Sequence, residues 1–487
     1  MKGMYLTGAC ALLAANASFA QQQYNVVYIM ADDHSTGAIS AYGKSAIPTP
    51  NIDRIAAKGM RFNNSFCTVS LSSPSRASII TGKYSEVHGM WRNETPFDGS
   101  QQTLPKLMQQ TGYQTAIIGK WHLDSEPTGF DFYKLMIGHG RNKIHCYFDC
   151  PLLSKDDTWT NDAQGGRIHE GYLTDVITNE SIDFLEHRDK SKPFMLMVHH
   201  KAPHGTYEYP DKYNSILQDD DLPEPANFAD NYQGRNSNLV EDICGYSKLL
   251  NIHPEDHFIE PIPEGLEVGT EEYKKWAYQA VFKGYYRLVA SLDENVGRLL
   301  DYLEKTGLDK NTIVIYTSDN GFFMGDHGFF NKMWMYEESL RVPLLVYHPL
   351  MKQGGKVSDL LVSTLDYAPT ILDCTGAPVP SDLQGRSLLP LLEGKKPGNW
   401  RKEHYYRYVN QFEVPEHYGI RTERYKLVYF PESQTIQWEL YDLKTDPAEM
   451  FNLYNQPKYK KIFDDLRKKM YESRLKFENI DDSNIKL

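Results

Sequence analysis

Five short apolar runs recur along the chain, with helical stretches between them. The runs cover residues 26–30, 115–118, 194–198, 312–316 and 343–346, and the helical stretches include residues 103–111 and 289–306. Runs of four or five apolar residues predict strands that are buried on both faces, as in parallel sheets. Their alternation with helices predicts an α/β fold, in which a large, mostly parallel sheet is flanked by helices.

The pattern changes after about residue 372. Residues 418–430 and 436–443 predict antiparallel strands with charged turns, and residues 459–477 have the spacing of an amphipathic helix. These elements predict a smaller C-terminal α+β domain with a short antiparallel sheet. A chain of 487 residues is long enough for two domains. We therefore expect one domain over residues 21–372 and a C-terminal subdomain over residues 373–487, with residues 1–20 as a separate leading segment.

Polar motifs follow four of the apolar runs. Asp32-Asp33 follows the first, Gly119-Lys120-Trp121-His122 the second, residues 199–204 the third and Asp319-Asn320 the fourth. Because open α/β sheets bind ligands at the carboxyl ends of their strands, we expect one shared site there. Carboxylate and amide oxygens suit calcium or magnesium, and adjacent carboxylates repel unless a cation neutralises them. Each pair alone would fit an ordinary turn or helix cap, so the metal prediction depends on their shared placement.

A helix is predicted to begin at Ser72. Pro74 suits its first turn because the missing N–H costs nothing there, and Gly82 can end the helix. Ser72 would then lie at a helix N-terminus, where free N–H groups and the helix dipole favour an anion. Arg76 would lie one turn further on, within reach of that anion. A simple serine helix cap would look the same in isolation, so the interpretation depends on the partner motifs.

Ser72 also opens the pattern Ser-x-Pro-Ser-Arg, four residues, Thr-Gly, which ends at Gly82. Further motifs accompany it: Ala31-Asp32-Asp33-His34, Gly119-Lys120-Trp121-His122, Ala202-Pro203-His204, Ser318-Asp319-Asn320-Gly321 and Lys332. Together they resemble the type I, formylglycine-dependent sulfatases of the alkaline phosphatase superfamily, from about Tyr24 to the C-terminus. The resemblance implies an alkaline-phosphatase-like mixed sheet. It also implies that a serine-type maturation enzyme oxidises Ser72 to formylglycine (3-oxoalanine), whose hydrate attacks the sulfur of a sulfate ester.

The resemblance also implies roles for the motif residues. One calcium ion, favoured over magnesium, would be bound by Asp32, Asp33, modified Ser72, Asp319 and Asn320. Arg76, Lys120 and Lys332 would hold the formylglycine and the sulfate, and Asp319 could help to deprotonate the attacking hydroxyl. His204 would protonate the leaving group, and His122 would take the proton whose loss expels sulfate. His327 and His417 would contact the substrate. The family's usual glycine after Lys-Trp-His-Leu is Asp124 here, at a position with no proposed role.

The expected substrate is a sulfated carbohydrate. The narrower resemblance is to N-acetylglucosamine-6-sulfatase-like members from glycan-degrading bacteria, with galactose and N-acetylgalactosamine sulfatases close behind. Two alternatives remain open. The same metal site and nucleophile position could serve a phosphodiesterase or phosphonate ester hydrolase. A chain whose Ser72 stays unmodified could instead be a non-catalytic protein that binds sulfated glycans.

The net charge and the first residues of the chain indicate which partners and which compartment to expect. The net charge of -12 argues against nucleic acid as the main partner. Lys2, the mostly apolar residues 4–15 and the motif Ser18-Phe19-Ala20 predict a secretory signal cleaved after Ala20, with export to a bacterial periplasm or beyond. Cys10 comes too early to favour a lipoprotein signal. No later apolar run is long enough to span a bilayer.

Cysteine usage does not indicate a disulfide framework. Without the signal peptide, five scattered cysteines remain: Cys67, Cys146, Cys150, Cys244 and Cys374. Cys146 and Cys150 could form a local bridge, or they could be free buried thiols. No spacing among the five indicates a zinc site.

Overall fold

The computed structural model describes residues 23–137, 146–161, 165–236, 248–257 and 259–480. The predicted signal peptide and Cys244 lie outside these residues. The strands, numbered in chain order, are β1 (Asn25–Asp32), β2 (Met60–Phe62), β3 (Ser65–Phe66), β4 (Gln114–Lys120), β5 (Phe132–Met136), β6 (Phe148–Ser154), β7 (Arg167–Tyr172), β8 (Phe194–Pro203), β9 (Thr312–Ser318), β10 (Phe323–Met324), β11 (Phe330–Asn331), β12 (Leu344–Tyr347), β13 (Lys356–Ser358), β14 (Val362–Ser363), β15 (Glu403–Tyr408), β16 (His417–Thr422), β17 (Tyr425–Tyr429) and β18 (Trp438–Asp442). The helices are α1 (Pro50–Lys58), α2 (Ser72–Thr81), α3 (Ser85–His88), α4 (Leu104–Gln110), α5 (Leu173–His187), α6 (Pro254–His257), α7 (Glu271–Thr306), α8 (Glu337–Leu340), α9 (Tyr367–Cys374), α10 (Leu389–Leu392) and α11 (Lys460–Glu478).

Within the described residues, ten strands form the central sheet, in the order β13-β2-β12-β9-β1-β8-β4-β5-β6-β7. Four of the five predicted strands form its parallel centre: β1 pairs with β8 and β9, and β4 pairs with β8. The prediction was wrong in direction for the fifth run, because β12 pairs antiparallel with β9. The chain between these two strands contains only short strands, a three-residue 3-10 turn and the one-turn helix α8. Without a long crossover, the chain returns along the sheet in the opposite direction.

Both faces of the sheet are covered, as the apolar runs predict. Alternate residues of β1 enter two different cores: Val27 and Ile29 pack with residues of α1, α5 and α7, whereas Val26 and Tyr28 pack with residues of α2, α4 and α9. The long helix α7 begins at Glu271, well before the predicted start at residue 289. Its first half buries mainly tyrosine and phenylalanine side chains, which give a weaker apolar signal than aliphatic residues do.

The predicted C-terminal elements are confirmed. Strands β15 to β18 form a four-stranded antiparallel sheet, and α11 packs Phe463, Leu466 and Met470 in a core shared with its inner residues. The residues just before this sheet belong to the larger domain, because Trp400 packs in a hydrophobic core of the central sheet. The small sheet starts at Glu403. The boundary after residue 372 remains a prediction.

Among the described cysteines, one pair forms a disulfide. Cys146 and Cys150 are bridged, with their Cα atoms 5.9 Å apart, which decides between the two alternatives left open above. Cys67 and Cys374 are free and buried. In the described part of the chain, no helix combines the length and the apolar character needed to cross a membrane.

Candidate active site

The residues predicted at the strand ends meet at one pocket of about 480 Å³. Its wall includes Asp33, Ser72, Lys120, His122, His204 and Lys332. Asp32, Asp319 and Asn320 are fully buried and are bonded to one another or to these wall residues. The carboxyl ends of β1, β4, β8 and β9 and the start of α2 therefore supply one site. We call its charged side chains the strand-end cluster: Asp32, Asp33, Arg76, Lys120, Asp319 and Lys332.

Ser72 lies at the start of α2, as predicted. The helix ends at Gly82, whose φ of 66° is in the left-handed region that glycine adopts freely. The Ser72 hydroxyl donates to Asp32 Oδ1 over 3.4 Å. The next backbone N–H, that of Ser73, donates to Asn93 Oδ1 at 3.1 Å. The first turn is thereby fixed, and the side chain of residue 72 faces the pocket.

Each carboxylate of the aspartate pair after β1 has its own cation. Asp32 forms an ion pair with Lys120, and Asp33 forms one with Lys332. Asp33 also accepts from Asn320 Nδ2 at 2.7 Å, and its φ of 65° is left-handed. This backbone turn sends the two side chains to different partners. The two lysine ammonium groups are thus held at the pocket wall beside Ser72.

Asp319 and Arg76 form the buried floor of the cluster. Arg76 Nε donates to Asp319 Oδ2 at 3.1 Å, and a second guanidinium nitrogen lies 3.0 Å from the same oxygen. Arg76 also donates to the carbonyl oxygen of Lys120 at 2.9 Å. Its side chain is only 2% exposed and is not part of the pocket wall. In this structure Arg76 braces the carboxylates and the end of β4. Its predicted role in holding the formylglycine and the sulfate stays a prediction.

The pKa values of the Asp32, Asp33 and Asp319 carboxyl groups are shifted in different directions. Burial opposes ionisation of Asp32, but Lys120, His204 and Arg76 outweigh it and hold its pKa well below the usual range. Burial raises the pKa of Asp33, although Lys332 offsets part of this effect. Burial and then the charge of Asp32 raise the pKa of Asp319 to about 6. The raised pKa values of Asp33 and Asp319 show that the neighbouring cations only partly offset burial, so a further cation would stabilise the ionised carboxylates.

Lys120 and His122 both reach the pocket. Strand β4 ends at Lys120, and His122 has a left-handed φ of 60°. Gly119 has a φ of 108°, and a Cβ there would lie 2.0 Å from the carbonyl oxygen of His199. Only glycine therefore permits this close approach of β4 to β8. Burial lowers the pKa of Lys120, although Asp32 opposes that effect.

The side chains fit a hard metal ion. Asp32, Asp33 and His204 can each bring one ligand atom within 4.8 Å of the others. The side-chain oxygen of Asn320 is buried and has no hydrogen-bond partner among the described residues. A buried acceptor without a donor is costly unless a ligand satisfies it, and an amide oxygen beside carboxylates suits calcium or magnesium. His204 Nε2 lies 3.6 Å from Asp33 Oδ2, and burial holds the pKa of His204 well below 6.5.

The structure adds pocket residues that the sequence analysis missed. Lys201 is 2% exposed, and its ammonium lies 3.6 Å from the centre of the Tyr147 ring. Burial and then Lys120 lower its pKa to about 7. Because Lys201 directly precedes the Ala202-Pro203-His204 motif, the sequence could have indicated that it lies in the pocket. Asn93 and Phe412 also line the pocket, and neither lies near a recognisable motif.

His327 and His417 do not line the pocket. His327 is 1% exposed and its Nδ1 lies 2.6 Å from Asp230 Oδ2. His417 is fully buried and stacks on Trp334 and Tyr408, with ring centres 5.6 and 5.3 Å apart. Both side chains are buried and lie outside the pocket wall, and their contact with substrate stays a prediction.

A mixed sheet of this kind, with a serine at a helix start and carboxylates and lysines at the strand ends, defines a hydrolase of the alkaline-phosphatase-like fold. The chain belongs to the sulfatase family, whose profile matches residues 24–377. A second profile, N-sulphoglucosamine sulphohydrolase, C-terminal, matches residues 325–476. The protein is therefore a sulfuric ester hydrolase.

Similar proteins agree with this assignment. The chain is 41% identical to an N-acetylglucosamine-6-O-sulfatase of Bacteroides thetaiotaomicron, over 94% of this chain and 87% of that protein. It is 31% identical to an arylsulfatase of Clostridium perfringens, over 91% and 93% of the two chains. A solved structure of a protein in complex with its substrate D-glucosamine-2-N,6-O-disulfate superposes with a TM-score of 0.85 and 38% identity, covering 95% of this chain and all of that one.

Proposed function

We propose that this sulfatase hydrolyses the 6-O-sulfate ester of glucosamine derivatives, either N-acetylated or N-sulfated. The observation that carries the proposal is the 41% identity, across nearly the whole chain, to an N-acetylglucosamine-6-O-sulfatase. The similar structure that holds a 6-O-sulfated glucosamine supports it. Family membership favours sulfate over phosphate esters, and so weighs against a phosphodiesterase or phosphonate hydrolase.

We further propose that Ser72 is oxidised to formylglycine by a serine-type maturation enzyme. The hydrated aldehyde would supply one oxygen to attack sulfur and a second whose deprotonation expels sulfate. Its place at the start of α2, beside Asp32 and on the pocket wall, supports this role. An unmodified serine hydroxyl is a much weaker nucleophile at neutral pH.

The surrounding side chains suit the remaining tasks. Lys120 and Lys332 lie on the pocket wall, where they can neutralise sulfate oxygens as charge develops. Burial keeps His204 neutral at neutral pH, so it would need to gain a proton on substrate binding before it could donate one to the leaving sugar hydroxyl. His122, on the same wall, is the candidate base for the hydroxyl whose proton loss releases sulfate.

We propose one calcium ion as the resident metal. Asp32, Asp33 and the free oxygen of Asn320 would hold it, together with the oxygen of residue 72, and Asp319 lies next to them. It would supply positive charge to the attacking oxygen and the sulfate. Oxygen-rich donor sets favour calcium or magnesium over transition metals. His204, which the geometry groups with Asp32 and Asp33, is assigned to proton transfer here.

We also propose that the chain is exported, with cleavage after Ala20. The positive, apolar and small-residue order of the first twenty residues supports this. N-terminal sequencing of protein from its native host tests it. A mature chain that begins at Gln21 is expected, whereas a retained Met1 would contradict export by this signal.

The substrate is tested by sulfate release from a panel of sugars. The panel holds N-acetylglucosamine 6-sulfate, glucosamine 2-N,6-O-disulfate, galactose 6-sulfate and N-acetylgalactosamine 6-sulfate, with an aryl phosphodiester for the alternative chemistry. We expect the two glucosamine derivatives to give the highest kcat/KM. A preference for either galactose-type sugar would overturn the sugar assignment, and a preference for the phosphodiester would overturn the reaction. Native-host protein with an unmodified Ser72 that binds sulfated sugar without any turnover would favour the non-catalytic alternative.

A further inference from the structure

A loop of the C-terminal sheet forms part of the pocket wall. Strands β15 and β16 pair from Glu403 with Thr422 up to Tyr408 with His417, and the loop between them contains Phe412. Phe412 lines the pocket together with Ser72 and Asn93. Its side chain is half-buried, in contrast to the fully buried His417 at the loop's far end. Through this loop the C-terminal domain reaches the reaction centre.

The shape of the loop is strongly constrained. Phe412 and Glu413 have left-handed φ values of 54° and 61°, which side-chain-bearing residues seldom adopt. Gln411 and Val414 close the turn with backbone hydrogen bonds of 3.4 and 3.1 Å, and the Tyr408 hydroxyl donates to the Gln411 carbonyl at 2.8 Å. Such conformations persist only where the surroundings enforce them, and they are frequent in ligand-binding sites.

Hydrogen bonds tie the same loop to the nucleophile's helix. Gln411 Oε1 accepts from the backbone N–H of Asn93 at 3.2 Å, and Gln411 Nε2 donates to Glu94 at 2.5 Å. Asn93 Oδ1 in turn accepts from the backbone N–H of Ser73 at 3.1 Å. The position of Phe412 is therefore fixed relative to residue 72 through three linked residues. A side chain fixed in this way can orient a substrate that reacts at residue 72.

We propose that Phe412 is a specificity-determining residue that stacks on the apolar face of the sugar ring carrying the sulfate. The inference rests on the proposed function, because it requires a sugar as the leaving group. The polar side of the pocket, with Lys120 and Lys332, suits the sulfate. A pyranose ring also presents a C–H face, and an aromatic ring with its negative π-face complements it. With Met333 beside it on the wall, Phe412 offers such an apolar surface.

The test separates sugar binding from anion binding. Steady-state kinetics on N-acetylglucosamine 6-sulfate are measured for the formylglycine-bearing wild type and for Phe412→Ala, with inorganic sulfate as a competitive inhibitor. We expect Phe412→Ala to raise KM roughly two- to tenfold, the size of an aromatic stacking contact, with kcat nearly unchanged. The inhibition constant of inorganic sulfate should not move, because sulfate alone does not reach Phe412. Phe412→Tyr should restore the wild-type KM.

Phe451→Ala is the matched control, since Phe451 is also in the C-terminal domain but is 68% exposed and lies outside the pocket wall. It should leave KM unchanged. An unchanged KM in Phe412→Ala would overturn the inference. So would a parallel rise of KM and of the sulfate inhibition constant, which would indicate a collapsed pocket. A fully modified wild type that releases no sulfate from this sugar would instead overturn the proposed function.

Discussion

The protein contains two buried groups of charges that look alike in isolation but differ in their surroundings. The strand-end cluster opens onto a pocket, and no described residue donates a hydrogen bond to the Asn320 side-chain oxygen. The second group, here the interface cluster, consists of Glu337, Arg341, Arg421, Lys426 and Glu449. Its members do not line that pocket. Burial and charge pairing alone therefore do not mark an active site. An active site is marked instead by access from a pocket and by an unfilled ligand position.

The interface cluster joins the C-terminal domain to the domain that contains the central sheet. Lys426 of β17 is fully buried, with its ammonium 3.0 Å from Glu337 and 2.7 Å from Glu449. Arg421 of β16 lies 3.1 Å from the same Glu337, which begins α8. Burial opposes ionisation of Glu337, yet Arg421 and Lys426 outweigh it and hold its pKa well below the usual range. These charges hold the small sheet against the catalytic body.

The largest difference between the clusters should appear when the nucleophile is removed. Ser72→Ala should lower kcat by about a thousandfold or more, the scale seen when a nucleophile is lost. The thermal midpoint should hardly change, because the Ser72 hydroxyl makes only a long bond to Asp32. Ser73→Ala is the matched control: its hydroxyl is buried without a hydrogen-bond partner among the described residues, so activity should survive. Wild-type activity in Ser72→Ala would contradict the assignment.

The interface cluster should show the opposite response. Arg421→Met leaves Glu337 with one cation fewer inside the protein, and breaking a buried pair typically costs about 3 to 5 kcal/mol. We expect denaturant unfolding to show a loss of this order, while kcat of the folded enzyme stays near the wild-type value. Lys460→Met, which breaks an exposed pair with Asp464, should change stability little. A stable but inactive Arg421→Met would show that this cluster serves catalysis.

Metal removal should affect both activity and stability through the strand-end cluster. Chelation should abolish sulfate release, and it should lower the free energy of unfolding by about 2.7 kcal/mol relative to calcium at one hundred times its Kd. Without the ion, the closely spaced carboxylates of Asp32 and Asp33 would keep only their lysine partners as counter-charges. Calcium should restore both properties at lower concentration than magnesium does. Full activity in a chelated, metal-free sample would contradict the metal site.

The last difference concerns acid stability near the interface, and it appears only below pH 6.5. Burial lowers the pKa of His417 to about 4, so the folded state holds it neutral while the unfolded chain binds a proton below 6.5. The stabilisation is complete above pH 6.5 and is lost as the pH falls towards 4, by about 1.4 kcal/mol per pH unit. His417→Phe should therefore flatten the fall in unfolding free energy between pH 6.5 and 4. An equally steep fall in the variant would show that His417 titrates as it does in the unfolded chain.

The sequence predicted the parts of the molecule that local patterns determine. The apolar runs around Val27, Ile117, Leu196 and Val314 became the parallel centre of the sheet, and the polar residues after them form the site. A run of apolar residues is the same whichever way its strand points, so the antiparallel direction of β12 could not be inferred. That direction depends on how the chain returns, which is a property of the whole fold.

Contacts between segments that are far apart in the sequence could not be predicted, for the same reason. Phe412 lies far along the chain from Ser72, and only the hydrogen bonds of Gln411 to Asn93 reveal why it belongs to the pocket. Conversely, His417 and His327 are histidines in polar stretches of sequence, a residue type suited to substrate contact, but tertiary packing buries both. Residue type indicates which chemistry is possible, whereas exposure to the pocket decides which residues can perform it.

The central claim is that residue 72 becomes the reactive group of the strand-end cluster. The most direct test is the mass of the tryptic peptide that spans residues 62–76, taken from protein purified out of its native host. The account predicts a loss of two hydrogens at Ser72 and trapping of the resulting aldehyde by a hydrazine. An intact serine in active native protein would contradict the formylglycine mechanism.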